Sequence, residues 1–373
     1  MPSDRTPQVQ VRAVRARGRY TIIKRVVILG VTALGLYVVW PSLAKVFSAG
    51  PLLATVNPLW GIPIVIAELL SFMCIWGLLR LALDAKPWFP VATAQLAGNA
   101  VSRIVPGGAA AGGAMQFDML RQAGIATTRA ATSVTAVSLI STATLLGLPV
   151  ISIVVILVTG ASVERNLFRV GSIAVLACCV ALAGGAVLLF ADRPLEWLGA
   201  VIQRVHNRLL KKRARMTGLP AHLVDERDLV RRVLGAGWWK ALLFSAGNWL
   251  LDLTALLIAL AAVGAQPRAS VVLLAYVVAA FLGMVPITPG GLGFVEAGLV
   301  GTLGLAGIGT DQAVLATLIY RLASYWMPMP IGAVAYFLHV RRYGRARPNG
   351  LSAVEREAQT GVVRAACESD PGA

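Results

Sequence analysis

Phe281-Leu-Gly-Met-Val-Pro-Ile-Thr-Pro-Gly-Gly-Leu-Gly-Phe-Val-Glu-Ala-Gly-Leu-Val300 decides how this chain is read. The stretch lies in apolar sequence, yet it holds two prolines, five glycines and one carboxylate, Glu296. Pro286 and Pro289 each remove a backbone donor and clash with the preceding turn, so a helix cannot run through unbroken. Non-helical backbone at membrane depth persists only where protein or a wet cavity encloses it. The stretch therefore predicts a broken helix lining a site; the plainer alternative is a tight loop between two ordinary spans.

C-terminal to the break, a second limb runs to Ile308 and a last span over Ala313–Leu338 carries Arg321. His339, at the end of that span, is expected at the interface. Four arginines follow within 341–347, so 341–373 is expected to be a disordered cytoplasmic tail. On the N-terminal side, Val271–Val285 is a short limb of 15 residues. Before it, the span Ala241–Val263 places Asn248 and Asp252 one turn apart on a shared face. Residues 192–236 hold ten Lys/Arg against five acids, including Lys211-Lys-Arg213. Leu195, Leu198, Ile202, Val205 and Leu209 recur there at helical spacing, which predicts an amphipathic helix in a cytoplasmic loop. That loop either touches anionic lipid or follows the general rule of positive cytoplasmic loops.

Two further spans precede it, Val170–Phe190 and Ala130–Val158, the latter with a kink expected near Pro149. Residues 88–125 then repeat the pattern of the opening stretch. Val91–Val105 is too short to cross about 30 Å of hydrocarbon at about 1.5 Å per residue. It ends in Arg103-Ile-Val-Pro-Gly-Gly108, and Ala109–Leu120 leads on to Arg121. The span Pro58–Leu79 carries Glu68 near its middle, where a carboxylate costs about 2.5–3.5 kcal/mol on insertion scales and so should face the protein interior. Ile22–Trp40 is the first span, with a signal peptide as the alternative, after a basic cytoplasmic tail over 1–21.

Of the 373 residues, 57% are hydrophobic and 14% charged, with mean hydropathy +0.74. A soluble domain carries about 25% charge. The net charge of +17 sits in tails and loops, which fits cytoplasmic loops on anionic lipid, and no nucleic-acid motif accompanies it. The four cysteines and three histidines form no metal or disulfide pattern, and no cofactor is expected.

The chain is thus an all-α polytopic membrane protein. It is read as about six full spans plus two re-entrant helical hairpins in inverted repeat, with both termini cytoplasmic in the cell membrane. Ten full spans would give the same charge parity. Short Gly/Pro-interrupted segments in matching positions of two halves point to a transporter site. Free N–H groups at a half-helix start favour an anion. Thr288 is expected as the cap and Pro289 in the first turn. The substrate site is accordingly assigned to Glu68, Arg103, Pro106, Gly107, Gly108, Arg121, Asp252, Thr288, Pro289, Gly290, Gly291, Glu296 and Arg321. The arginines would fork onto phosphate and the acids would balance them. Glu296 and Arg321 also fit a purely structural ion pair.

Val285-Pro-Ile-Thr-Pro-Gly-Gly-Leu-Gly-Phe-Val-Glu-Ala-Gly298, then Ile319-Tyr-Arg321 and Gly332, resemble the transmembrane domain of lysylphosphatidylglycerol synthase/flippase proteins, the multiple peptide resistance family. Asn99, the Pro106-Gly-Gly break and Gly112-Gly113 resemble the weaker first half; where the family places an arginine after that glycine pair, this chain has Gln116. The resemblance implies a translocase for an anionic or aminoacylated phospholipid or a polyprenyl phosphate, with two hairpins meeting mid-bilayer. The chain ends at Ala373, shortly after the last span, so no aminoacyl transfer is expected. The competing readings are a non-transporting membrane partner of an envelope glycosyltransferase or other lipid-modifying enzyme, docking through 192–236, and a small-solute transporter. A homo-oligomer is compatible with each.

Overall fold

Asn57 opens the described structure with a turn cap, its side chain accepting from the Leu59 N–H at 3.0 Å, and Pro58 then starts a helical turn. The computed structural model describes residues 56–84, 87–105, 108–159, 165–209, 235–283 and 288–344, with isolated positions at 224, 227, 228 and 231. The predicted first span, the tail over 1–21, residues 345–373, Lys211-Lys-Arg213, Pro106, Gly107 and Pro286 lie outside the described residues; residues 341–343, expected in the disordered tail, are helical. Within them the chain is helical and contains no strand.

In order, the helices are α1 (Gly61–Leu83), α2 (Trp88–Ile104), α3 (Gly108–Gln122), α4 (Thr127–Thr159), α5 (Arg165–Phe190), α6 (Asp192–Leu209), α7 (Trp238–Ala262), α8 (Ala269–Gly283), α9 (Phe294–Leu305), α10 (Thr310–Arg321) and α11 (Pro328–Tyr343). Pro58–Leu83, Thr127–Val158 and Trp238–Ala262 are long and apolar enough to cross a membrane. In α1 the buried positions Ile64, Ala67, Glu68, Ser71, Phe72, Ile75, Leu78 and Leu79 recur at helical spacing. Ile62, Ile66, Leu69, Leu70 and Met73 form the exposed face. An apolar helix exposing leucine and isoleucine on one side while burying a carboxylate on the other is built for lipid outside and protein inside.

Antiparallel packing organises the interior. Along α1 and α7 the facing pairs are Gly77 with Phe244, Cys74 with Gly247, and Ser71 with Asn248. A Cβ at Gly77 would stand 2.8 Å from the Phe244 ring, so the glycine admits the ring. The Asn248 amide donates to Ser71 Oγ at 2.6 Å, and Ser71 Oγ lies 3.0 Å from the Asn248 carbonyl.

Both short-limbed segments are helical hairpins. In α2–α3 the pairs Gln95 with Gln116, Gly98 with Gly112, and Ser102 with Gly108 run in opposite directions. In α8–α9, Gly298 packs on Ala279 and Leu282, and Thr302 Oγ1 lies 3.4 Å from the Ala275 carbonyl. The limbs have 17, 15, 15 and 12 residues, and α9 stops at Leu305 rather than running to Ile308. At about 1.5 Å per residue none exceeds about 26 Å, short of a full crossing. One core gathers around each hairpin: Val91, Ala94, Ala97, Met119 and Leu120 belong to the first, Leu256, Leu260, Tyr276, Val277 and Leu299 to the second.

Two expectations change. Ala313–Leu338 is not α-helical throughout: α10 ends at Arg321, a π-helical segment covers Leu322–Trp326, and α11 starts at Pro328. α4 runs through Pro149, near which the kink is expected. His339 is fully buried rather than interfacial; its Nε2–H donates to the Met119 carbonyl at 2.9 Å and its Nδ1 lies 2.7 Å from Thr93 Oγ1. It fastens α11 onto both limbs of the first hairpin. The predicted amphipathic helix is present as α6, turned by 96° from the preceding apolar helix, with Trp197, Ile202 and Val205 exposed along it.

Candidate functional site

Pro328 has no N–H to give to the carbonyl four residues before it, which is that of Ser324. The π segment shifts the bonding locally, with Met327 N–H reaching back to the Leu322 carbonyl at 3.0 Å. Such single-turn π segments recur at functional sites. Here the freed Ser324 carbonyl accepts from Arg103 Nη1 across the interface between the two halves. Tyr325 O–H returns the contact by donating to the Arg103 carbonyl at 2.9 Å. Arg103 therefore sits at the end of α2 with its side chain and its backbone both tied to the π segment.

Tyr325 is the hub. Its ring has the Arg321 guanidinium at 4.2 Å and the Arg103 guanidinium at 5.1 Å, both within cation–π range. Gly290 lies against the same ring: a Cβ there would come within 2.5 Å of it. Gly290 also has φ +57°, in the left-handed region that glycine tolerates. The two breaks thus meet at Tyr325, with Arg103 arriving from the first and Gly290 from the second.

Glu296 closes the second break. Its Oε2 accepts the Gly293 N–H at 2.6 Å, and its Oε1 accepts Arg321 Nε–H at 2.6 Å. The side chains of this pair are 10% exposed for Arg321 and 23% for Glu296, so the bridge is mostly shielded from water. Gly293, with φ +85°, is the N-cap of α9, and Glu296, three residues into the helix, reaches back to its N–H; glycine has no side chain to return the bond. This corrects the expectation for Thr288 and Pro289. Thr288 precedes and Pro289 begins a tight turn over Pro289–Gly291, and neither caps α9. The positive end of α9 is taken by the protein's own carboxylate.

Arg321 keeps an unused donor, since its Nη2 is buried without a partner. Thr288 Oγ1, Asn99 Oδ1 and Ser324 Oγ are likewise buried and unpartnered, all on the segments that meet here. Beside the α9 start, Leu282, Leu292, Gly293, Phe294, Ala297 and Gly298 line an apolar groove of about 570 Å³. A second cleft of about 440 Å³ runs between the start of α1 and the π segment, lined by Ile64, Val65, Ile319, Leu322, Ala323 and Trp326 among others.

A second polar group lies one layer away. Asp252 Oδ2 accepts the phenol of Tyr320 at 2.8 Å and that of Tyr276. Glu68, 2% exposed, faces Asp252 from α1 within hydrogen-bonding reach, and its Oε1 has no partner.

The site thus gathers Glu68, Arg103, Asp252, Thr288, Gly290, Glu296 and Arg321. Gly108 and Gly291 serve packing: Gly108 lies against the Ser102 carbonyl, and a Cβ on Gly291 would stand 2.7 Å from Gly283 Cα. Arg121 does not join them. It is exposed in the last turn of α3, stacked on Phe117 at 5.6 Å, about 20 Å along the helix from the break. Sequence reasoning missed Tyr276, Tyr320 and Tyr325. Their signal was a phenol inside an apolar segment, which needs a buried partner.

Comparison with known proteins places this arrangement. Segments of the chain are similar to a "UPF0104 membrane protein" of Methanothermobacter thermautotrophicus (strain ATCC 29096 / DSM 1053 / JCM 10044 / NBRC 100330 / Delta H). One is 39% identical over 105 residues, covering 28% of this chain and 29% of the relative. Another, to a protein of the same description and organism, is 31% identical over 91 residues, covering 24% of this chain and 27% of the relative. These matches span less than a third of either relative's length. The family described as the lysylphosphatidylglycerol synthase TM region matches residues 26–332, from the predicted first span to Gly332 in α11. With that match covering most of its length, the chain is a membrane protein that belongs to the lysylphosphatidylglycerol synthase TM-region family.

Proposed function

We propose that this protein is a lipid translocase of the cell membrane. It moves an anionic or aminoacylated phospholipid, or a polyprenyl phosphate, between leaflets without altering it chemically. The observation that carries the reading is the Arg103–Tyr325–Arg321–Glu296 cluster at the meeting point of two hairpin breaks, with apolar grooves beside it. A phosphate head group is matched by guanidinium forks, and Arg321 Nη2 is a buried donor in want of an acceptor. Acyl chains would lie in the grooves along Phe294 and Ile319. Glu296 holds Arg321 in place when no head group is bound, and a phosphate would compete with it. Family membership supports a lipid-related role.

The test is transfer of labelled phosphatidylglycerol in proteoliposomes, read by quenching of the outer leaflet. Wild type is expected to transfer lipid at least about tenfold faster than Arg321→Ala or Arg103→Ala, the loss expected for about 1.4 kcal/mol or more from a charge-assisted contact. Equal transfer by wild type, Arg321→Ala and Glu296→Ala would overturn the reading.

A further inference from the structure

Within the site described above, Glu68 and Asp252 have so far been given no part beyond balancing charge. The α1–α7 register brings them face to face: Gly77–Phe244, Cys74–Gly247 and Ser71–Asn248 are successive pairs, and Glu68–Asp252 is the next. Asp252 Oδ2 is already engaged by two phenols, both of which donate. A carboxylate accepts only, so Asp252 can meet a second carboxyl group favourably only if that group carries a hydrogen. Two ionised carboxylates in contact and out of water would repel each other strongly. The chemistry of the contact therefore requires one proton between the pair, and Glu68 is the partner free to carry it.

The surroundings fix what that proton does. The charged and titratable groups facing the pair are Arg103 from α2, Tyr276 from α8 and Tyr320 from α10; Arg321 lies beyond Tyr320 and Arg103, with Tyr325 and Glu296 of α9 against it. The two arginines offset Asp252 and Glu296. The cluster is thus neutral when Glu68 is protonated and carries one negative charge when it is not. An anionic head group entering the neutral cluster leaves it with the same charge as the empty, deprotonated one.

We propose that Glu68, set against Asp252, is a proton-binding site, and that its proton travels with a singly charged lipid head group in the same direction. The proton arrives from water on one side, bonds to a Glu68 carboxyl oxygen, and leaves to water on the other side, with no change of oxidation state. The proton site stands on the contact itself; the coupling rests on the translocase reading above.

Two measurements separate these parts. The first is infrared difference spectroscopy of the full chain in lipid nanodiscs on a pH step, with exchange into heavy water. Wild type is expected to show a protonated-carboxyl band that shifts in heavy water, vanishes in Glu68→Gln and persists at a moved position in Glu68→Asp. An unchanged band in Glu68→Gln, or none in wild type, overturns the proton site, and the Glu68→Asp variant settles the matter if Glu68→Gln does not fold. The second uses vesicles with trace labelled phosphatidylglycerol under an imposed pH gradient. With one proton per lipid, the probe should accumulate in the leaflet facing the alkaline side by about tenfold per pH unit. In Glu68→Gln, whatever lipid still moves should show no such bias. Lipid movement in wild type that ignores the gradient overturns the coupling. No lipid movement under any gradient instead sinks the translocase reading and the coupling with it, while the infrared band still decides the proton site.

Discussion

The two hairpins share a plan and differ in what holds them. In α2–α3 the limbs touch backbone to backbone at Gly98 and Gly112, a glutamine pair crosses them, and His339 binds both to α11. Its one charged contribution to the site is Arg103. In α8–α9 the glycines sit in the break itself, three of them with positive φ, and Glu296 forms an ion pair with Arg321 of α10. The first hairpin is a clamp that delivers one side chain; the second holds the chemistry. A repeat of shape therefore need not be a repeat of role, and Gln116 in place of an expected arginine is consistent with that division.

The strongest way to break the comparison is to open the clamp. A Cβ on Gly98 would stand 2.7 Å from the Gly112 carbonyl oxygen, and backbone cannot swing aside as a side chain can. Gly98→Val is expected to destabilise the fold by about 3 kcal/mol or more, seen as loss of monodisperse protein or a large fall in Tm. Gly124→Val serves as a comparison: it lies outside the clamp in open space, though its positive φ adds backbone strain of its own. Next, Arg321→Ala should leave Glu296 uncompensated and cost about 3 kcal/mol, whereas Glu296→Gln with Arg321→Met should recover part of the Tm. A double variant no more stable than Arg321→Ala would show that the pair is not the cause.

Smaller effects sharpen the contrast. His339→Ala removes hydrogen bonds to both limbs of the first hairpin and should cost about 1–3 kcal/mol, with earlier hydrogen exchange in α2 and α3 than in α8 and α9. Equal acceleration in both hairpins would argue that His339 is not specific to the clamp. Least affected is Arg121→Ala, expected within about 0.5 kcal/mol of wild type and with unchanged lipid transfer. A large loss there would mean that the first hairpin supplies more to the site than Arg103.

Much of this was legible before any coordinates. Proline–glycine interruptions in apolar sequence have few physical outcomes, so the hairpins followed from Pro286 to Gly291 and from Pro106 to Gly108. Glu296 and Arg321 could be recognised as paired because a lone charge in such surroundings is too costly. Arg121 was misplaced because sequence gives spacing along a limb but not the end at which the limb meets its partner. Tyr320 and Tyr276 find Asp252 only through the packing of α7, α8 and α10, which no local pattern encodes. The division of the last span was readable after all: Pro328 and Pro330 both lie inside it, and each forbids an α-helical bond.

Pro328 has one more implication. Because the proline can never supply the missing donor, the Ser324 carbonyl relies on Arg103 from the other half of the chain. Should the first hairpin withdraw, that oxygen must be hydrated or stay bare at a cost the fold would resist. Displacement of the hairpin and hydration of that oxygen are therefore two aspects of one event.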